Sequence, residues 1–406
     1  MPLPGRVLMT GTPRALVLQA VDAVRPLLAE VVHALHADPE LSFAEHRAVA
    51  RLSAVLEGQG VAVETGVHDL STAFRAVAGS GPFEVVLCAE YDALPEIGHA
   101  CAHNVIAAGA LGAMIALAPL ADMLGVRVVL LGTPAEEHGA GKQLMLERGA
   151  WDTATVSLMV HPSSGPDRWP DRVDRSAVHR LRATFRGRAS HAAAAPEKGV
   201  NAGDAAALSL VAIGMLRQQV PDGMRLSAFI REAGVATNII PALSVVDFEV
   251  RGPDVEAEAA VEARVRDCFQ GAAIATGCTV EITETEPLYE QVEQDAGLTL
   301  LFAEAMAQIG RPLDPADQPV PGGSTDMGNV SRYVPSLHPT VSIRGTDASL
   351  HTAEFAAAAS TSEAVDAAVD SAKAMALTVV ALAADAPLRE RYLAAQVSRP
   401  PYAASR

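Results

Sequence analysis

The stretch Val85-Val86-Leu87-Cys88-Ala89-Glu90-Tyr91-Asp92-Ala93-Leu94-Pro95, followed two residues later by Gly98-His99-Ala100-Cys101-Ala102-His103-Asn104, decides the fold class. Its first five residues are apolar and Val-rich, which is the pattern of a strand buried on both faces of a parallel sheet. Three more runs share it: Val128–Leu131, Val156–Val160 and Val341–Ile343. Helical stretches at Val105–Leu124 and near Gly141–Gly149 lie between the first three. That alternation predicts βαβ units, hence an α/β fold whose sheet is mixed but mainly parallel, with helices on both faces. In open sheets of this kind, ligands bind just beyond the carboxyl ends of the strands. Those ends carry Glu90 and Asp92 with Cys101 and His103, then Glu136-Glu137-His138, then His161, then His351.

Working outward, the pattern changes between about 177 and 290. His179–Arg186 alternates, with Leu181, Ala183 and Phe185 on one face and arginines and a threonine on the other. Ala205–Leu216 reads as a helix with Leu208, Val211, Ala212 and Met215 on its apolar face. Arg225–Arg231 and Ser244–Arg251 read as strands, Val255–Ile274 as an amphipathic helix, and Thr279–Thr283 as a last strand. The order β-α-β-β-α-β predicts an inserted ferredoxin-like domain. The expected division is 1–176 and 291–406 for one catalytic domain in two segments, and 177–290 for the insert.

Composition narrows the function classes. The chain has 406 residues, half of them apolar and 19% charged, so it can bury a sizeable core and is not a disordered chain. With 31 Lys plus Arg against 48 Asp plus Glu, its net charge of −17 argues against nucleic acid and anionic membrane as partners. The longest uncharged apolar stretch, Val105–Ala121, is short and broken by Gly109, Gly112 and Pro119, which favours a core helix over a membrane span. Met1–Thr12 has one Arg and no sustained apolar run, so no leader is expected. Four cysteines without a CxxC pair make no disulfide framework. A reducing, cytoplasmic setting is expected.

Each strand-end group has an ordinary reading: a buried thiol, a solvated Glu-Glu pair, a satisfied core histidine. Together, thiolate, imidazoles and carboxylate form a ligand set suited to zinc, or to manganese where oxygen ligands share the site. Five such groups exceed what one tetrahedral ion needs, so two ions are expected. Two ions would lower the pKa of a shared water to give hydroxide and polarise a carbonyl. A neighbouring carboxylate would move the proton to a leaving amine. Adjacent Glu136 and Glu137 allow one ligand and one base, and the chemistry implied is amide hydrolysis. Two rivals stay open here. One makes Cys101 a nucleophile with His103 or His99 as base. The other is a non-catalytic metal- or ligand-binding protein.

These motifs resemble the dinuclear metallopeptidase and amidohydrolase family, peptidase family M20, that includes aminoacylase, glutamate carboxypeptidases, auxin-conjugate hydrolases and aminobenzoyl-glutamate hydrolase. The resemblance runs through Leu35–Phe43, Ala89–Pro95, Gly98–Asn104, Pro134–Glu137, Gly187–Ala192, Asn238–Pro241, Gly323–Asn329 and His351-Thr352. It implies Cys101, His103, Glu137, His161 and His351 as ligands of two divalent ions, zinc or manganese. It implies Glu136 as general base and Asp92 as the group orienting a ligand. It implies a homodimer in which His191 reaches the partner's site to stabilise an oxyanion, with Asn238 and, more weakly, Arg251 contacting substrate. The substrates implied are small amides: dipeptides, N-acyl amino acids or aminobenzoyl-glutamate. Ala102 departs from a common Gly, Asn104 from an Asp found in many relatives, and His138 from a small residue. His99 is expected to be a loop residue.

Overall fold

In the computed structural model, which describes residues 11–404, three of the four apolar runs come together as neighbouring strands, whereas Val341 and Ser342 belong to a separate two-stranded sheet. The leader reading of Met1–Thr12 lies outside the described residues except for Gly11 and Thr12. Among the described residues the chain divides into two units. The first holds residues up to Val173, Glu293–Pro321 and Asn329 onward; the second holds Asp174–Val292 and Gly322–Gly328.

The first unit is built on a six-stranded sheet in the order Val63–Thr65, Phe74–Ala78, Val126–Gly132, Phe83–Ala89, Val156–Leu158, Ser336–Leu337. The last four run parallel to one another, and the first two are added antiparallel. The sheet is therefore mixed. All seven residues of Phe83–Ala89 are buried, Glu84 included, and Val85–Ala89 is the run apolar on both faces that this burial requires. The antiparallel addition brings Phe74 opposite Gly132, where a Cβ would sit 2.1 Å from the phenyl ring, so this register needs glycine there. The Val156–Val160 run stops as a strand at Leu158 and resumes at His161–Ser163, which pairs in parallel with Thr340–Ser342.

The helix His103–Leu117 is buried along its whole length. It packs between the helices Pro13–Ala37 and Ser362–Ala384. Gly112 makes this approach possible, since a Cβ there would lie 2.8 Å from both Ala372 Cβ and Leu28 Cδ1. Two helical stretches, His103–Leu124 and Ser362–Ala384, are long and apolar enough to cross a membrane, but they are 83% and 72% buried inside the fold. They serve as core helices.

The second unit is a four-stranded antiparallel sheet in the order Thr279–Glu284, Ala177–Arg186, Leu243–Gly252, Arg225–Glu232. The helices Ala202–Leu216 and Val255–Thr276 cover one face. Leu181, Ala183, Phe185, Val246, Phe248 and Val250 point into a second core with Val261, Val265 and Phe269 of the later helix. On the opposite face Arg182 meets Asp247 at 2.7 Å. One expectation is reversed. Leu208, Val211 and Met215 share a face of Ala202–Leu216, but that face is exposed. The helix packs instead through Ala202, Ala205, Ala206, Ser209, Ile213 and Leu216, whose mostly small side chains permit close approach.

Candidate metal centre

The strand ends of the first unit converge as the topology requires. Glu90 and Asp92 follow Phe83–Ala89, Glu136 and Glu137 follow Val126–Gly132, and His161 follows Val156–Leu158. Backbone bonds fix the loops to each other. Thr133 N–H donates to Ala89 O at 2.8 Å, and His351 N–H donates to Ala100 O at 2.9 Å. That second bond carries His351 beside the Cys101 loop across a gap of some 250 residues. Cys101, His103, Glu136, Glu137 and His161 are all buried, whereas the His351 side chain is 55% exposed.

Their ligand atoms fall into overlapping groups. Cys101, His103 and His161 form one, and Cys101, Glu137 and His351 another, with all atoms of each group within 4.8 Å of one another. Cys101 belongs to both. Its Sγ lies 3.5 Å from His161 Nε2. His351 Nε2 lies 3.6 Å from Glu137 Oε2. Glu136 Oε2 and Glu137 Oε1 each stand 3.8 Å from His103 Nε2. A third group adds Glu90 to His103 and Glu136.

Supports around these groups set the tautomers. His161 Nδ1–H donates to Pro162 O at 2.6 Å, leaving the Nε2 lone pair toward Cys101. His103 Nδ1–H donates to Asp92 Oδ1 at 3.0 Å, leaving Nε2 toward the glutamates. Asp92 Oδ2 accepts from Ser42 Oγ at 2.9 Å and from Glu137 N–H at 3.0 Å. Burial opposes an ionised Asp92, but His103, the Glu137 N–H and Ser42 outweigh it and hold its pKa at about 2. Burial likewise disfavours a charged His103, yet Asp92, Cys101 and Glu90 push its pKa well above the ordinary imidazole value. Burial, then Glu137, push the Cys101 thiol well above its ordinary value, and His103 offsets this only in part.

The donor set fits divalent cations. His103 Nε2, Glu137 Oε1 and Glu90 Oε2 are buried without a hydrogen-bond partner among the described residues. Buried imidazole and carboxylate groups facing one another at this range need a proton or a cation between them, and a divalent cation can serve several of them at once.

Residues beyond the expected set complete the centre. Lys142, fully buried, pairs with fully buried Glu90. Glu45 accepts the Ala135 N–H at 2.9 Å and so holds the turn that presents Glu136. Burial, then Asp92, raise the Glu45 pKa to about 7. Glu90 stands inside the Ala89–Pro95 motif, but its partner Lys142 is 52 residues away, and no local pattern links them.

The departures now have physical readings. Ala102 adopts a left-handed conformation, φ 59° and ψ 36°, between Cys101 and His103, which is the reason glycine suits this position. Asn104 Nδ2 donates to Val32 O at 3.0 Å and to Ala359 O at 2.8 Å, so it ties elements together below the site. Asn104→Ala should therefore cost about 2 kcal/mol, because two buried carbonyls lose a donor, while KM stays unchanged. Denaturant melts with kinetics check this, and a selective KM change would make Asn104 a substrate contact instead. His99 lies in the loop between Phe83–Ala89 and His103–Leu117. It is buried and stacked on His36 with ring centroids 6.5 Å apart, and burial lowers its pKa to about 3. His138 is exposed.

The remaining expected residues lie in the second unit. His191 is exposed, and its Nδ1 accepts from Ala193 N–H at 3.2 Å and Ala194 N–H at 3.1 Å, so Nε2 is the nitrogen left to donate. Asn238 adjoins it, its carbonyl accepting from Ala192 N–H at 3.0 Å. Arg251 stands apart at the far end of Leu243–Gly252. It is not a solvated strand residue, since Nη1 donates to Ser324 Oγ at 2.6 Å.

The sequence profile of peptidase family M20/M25/M40 matches residues 86–384, the span that contains Asp92, Cys101, His103, Glu136, Glu137, His161 and His351. The chain belongs to this family. M20 membership makes it a hydrolase. It is 38% identical to the Xaa-Arg dipeptidase of Mus musculus over 378 residues, covering 89% of this chain and 87% of that one. It is 29% identical to one of the chains of the p-aminobenzoyl-glutamate hydrolase of Escherichia coli, over 64% of this chain and 58% of that one. Its fold matches that of a dinuclear metal-binding M20 peptidase of Bacillus subtilis, with a TM-score of 0.66 and 22% identity, covering 89% of this chain and 99% of that one.

Proposed function

We propose that this M20 hydrolase cleaves the amide bond of small substrates with the help of two divalent ions, zinc or manganese. Dipeptides come first, because the relative at 38% identity is an Xaa-Arg dipeptidase, followed by N-acyl amino acids and aminobenzoyl-glutamate. The observation that carries the reading is the pair of ligand groups sharing Cys101, with His103 Nε2 and Glu137 Oε1 buried and unpartnered between them.

Cys101, His103, Glu137, His161 and His351 would hold the ions, and Asp92 would orient His103. When bound, the ions supply charge that polarises the scissile carbonyl and lowers the pKa of the attacking water. Glu136 takes the proton from that water and delivers it to the leaving amine. A Cys101 nucleophile would leave Glu137, His161 and His351, which share ligand groups with it, without a role, so the thiol-amidase alternative is disfavoured. A non-catalytic binding protein is disfavoured by M20 membership.

The test is a hydrolysis screen of dipeptides ending in Arg or Lys, N-acyl amino acids and aminobenzoyl-glutamate. It is run on chelator-stripped protein and on protein reloaded with Zn²⁺ or Mn²⁺. Cleavage of at least one class is expected only after reloading. Full turnover by metal-free protein, or none by loaded protein, defeats the reading.

The second unit is taken as a ferredoxin-like dimerisation domain, and the occupant of its apolar face as a second copy of this chain. Support comes from Leu208, Val211 and Met215, exposed in a row on one helix, and from Phe229 and Ile230, exposed on the edge strand Arg225–Glu232. In such a dimer the partner subunit's His191 would donate Nε2–H to the developing oxyanion, while Asn238 and Arg251 would contact substrate. His191→Ala and Glu136→Gln homodimers should both be nearly inactive. Their heterodimer holds one intact site, so verified heterodimers should recover up to about half of wild-type activity. Heterodimers as inactive as the parents would remove His191 from this role. A cytoplasmic setting is proposed from the four cysteines, none of which is in a disulfide, and a fluorescent fusion found in another compartment would overturn it.

A further inference from the structure

Within the second unit, a cluster of ionisable groups sits in a place where apolar packing is the rule. His179 lies on Ala177–Arg186, in the same row as Leu181, Ala183 and Phe185, and so faces the helices. Opposite it, Glu258 and Glu262 are one turn apart on Val255–Thr276, with Val261 and Val265 beside them in the core. Glu258 is 2% exposed, His179 8% and Glu262 9%. One nitrogen of His179 and one oxygen from each glutamate lie within 4.8 Å of one another.

The hydrogen-bond accounting of this cluster is incomplete. Glu262 Oε2 accepts from His179 Nδ1 at 2.6 Å, and Glu262 Oε1 accepts from Arg266 Nε at 2.5 Å. That leaves Glu258 Oε1 and His179 Nε2 buried with no hydrogen-bond partner among the described residues. His179 Nε2 stands 3.6 Å from Glu284 Oε1, on a side chain 64% exposed at the end of Thr279–Glu284. A carboxylate bonded to one imidazole nitrogen while the other nitrogen stays open is the arrangement found around metal-ligating histidines. An unpaired, buried carboxylate oxygen costs folding free energy unless a cation or a proton meets it.

We propose that His179 Nε2 and Glu258, completed by Glu284 at the solvent side and with Glu262 orienting His179 through Nδ1, form a second divalent-cation site, separate from the centre of the first unit. One imidazole and carboxylate oxygens suit Zn²⁺ or Mn²⁺. Such an ion would tie the first two turns of Val255–Thr276 to two strands of the sheet, so its role is structural. The competing arrangement needs no metal. Burial, then the neighbouring Glu262, raise the Glu258 pKa, and a proton held there would also relieve the repulsion.

The experiment compares the full-length wild type with Glu258→Gln, His179→Gln and Glu284→Gln. Each is stripped with chelator, reloaded separately with Zn²⁺ or Mn²⁺, desalted and assayed for ion content. Glu258→Gln and His179→Gln should each retain one ion fewer per chain than wild type, with hydrolysis of any identified substrate unchanged. Glu284→Gln alters only an exposed side chain and should fold. It should weaken the last ion by about tenfold, the lower range for losing a group that supports a site. Equal ion content across the proteins that fold, with unaltered affinity in Glu284→Gln, would identify the cluster as a proton-sharing ion pair and overturn the proposal.

Discussion

Glu136→Gln is expected to lower kcat by about 100- to 10,000-fold, the range for removing a general base, while the ion content stays at the wild-type level. The two consecutive glutamates are equally distant from His103 Nε2, at 3.8 Å, but differ in what else they touch. Glu137 has its N–H held by Asp92 and its Oε2 3.6 Å from His351, so it is built into the second ligand group. Glu136 belongs to no group with Cys101. A neutral amide at 136 keeps the shape and cannot take a proton. Glu137→Gln should instead weaken ion binding by about 10- to 100-fold or more, since even indirect supports of a metal site are worth that much. Elemental analysis beside steady-state kinetics separates the two phenotypes. Near-wild-type turnover in Glu136→Gln, or the two phenotypes exchanged, would defeat this assignment.

Lys142→Met is expected to destabilise the protein by about 3–5 kcal/mol, the cost of leaving one member of a buried ion pair alone. Lys142 and Glu90 are both fully buried, and Glu90 Oε2 is 3.5 Å from His103 Nε2. The ammonium therefore partly balances a region that also holds Asp92, Glu136 and Glu137. Without it, Glu90 would have to take up a proton or move, and either change disturbs His103. The double variant Lys142→Met/Glu90→Gln should recover most of the loss, because removing both charges also removes the unpaired one. Denaturant unfolding of the wild type, Lys142→Met, Glu90→Gln and the double variant gives the coupling directly. A Lys142→Met loss below about 1 kcal/mol, the scale of an exposed pair, would show that the pair contributes little.

The division between local and long-range information follows particular residues. Val85–Ala89 reads as a buried strand because five apolar residues in a row leave no polar face for water. The alternation in His179–Arg186 reads as a half-buried strand by the same logic with period two. These patterns need only neighbours in the chain, so the α/β class, the β-α-β-β-α-β order and the Cys, His, Asp and Glu side chains beyond the strand ends were all legible. The polarity of a helix face was not. Leu208, Val211 and Met215 obey the helical period, but only the packing of the small residues Ala202, Ala205 and Ala206 on the other side turned that stripe outward. Nor was the role of Asn104, whose two acceptors, Val32 O and Ala359 O, lie 72 and 255 residues away. Neighbouring residues specify which segments are strands and helices and which side chains follow each strand. Tertiary folding places Cys101 in two groups of side chains, pairs Glu90 with Lys142 and turns His179 toward Glu258 and Glu262. Such pairings depend on strand register and loop closure over tens to hundreds of residues, and short-range periodicity carries no record of them.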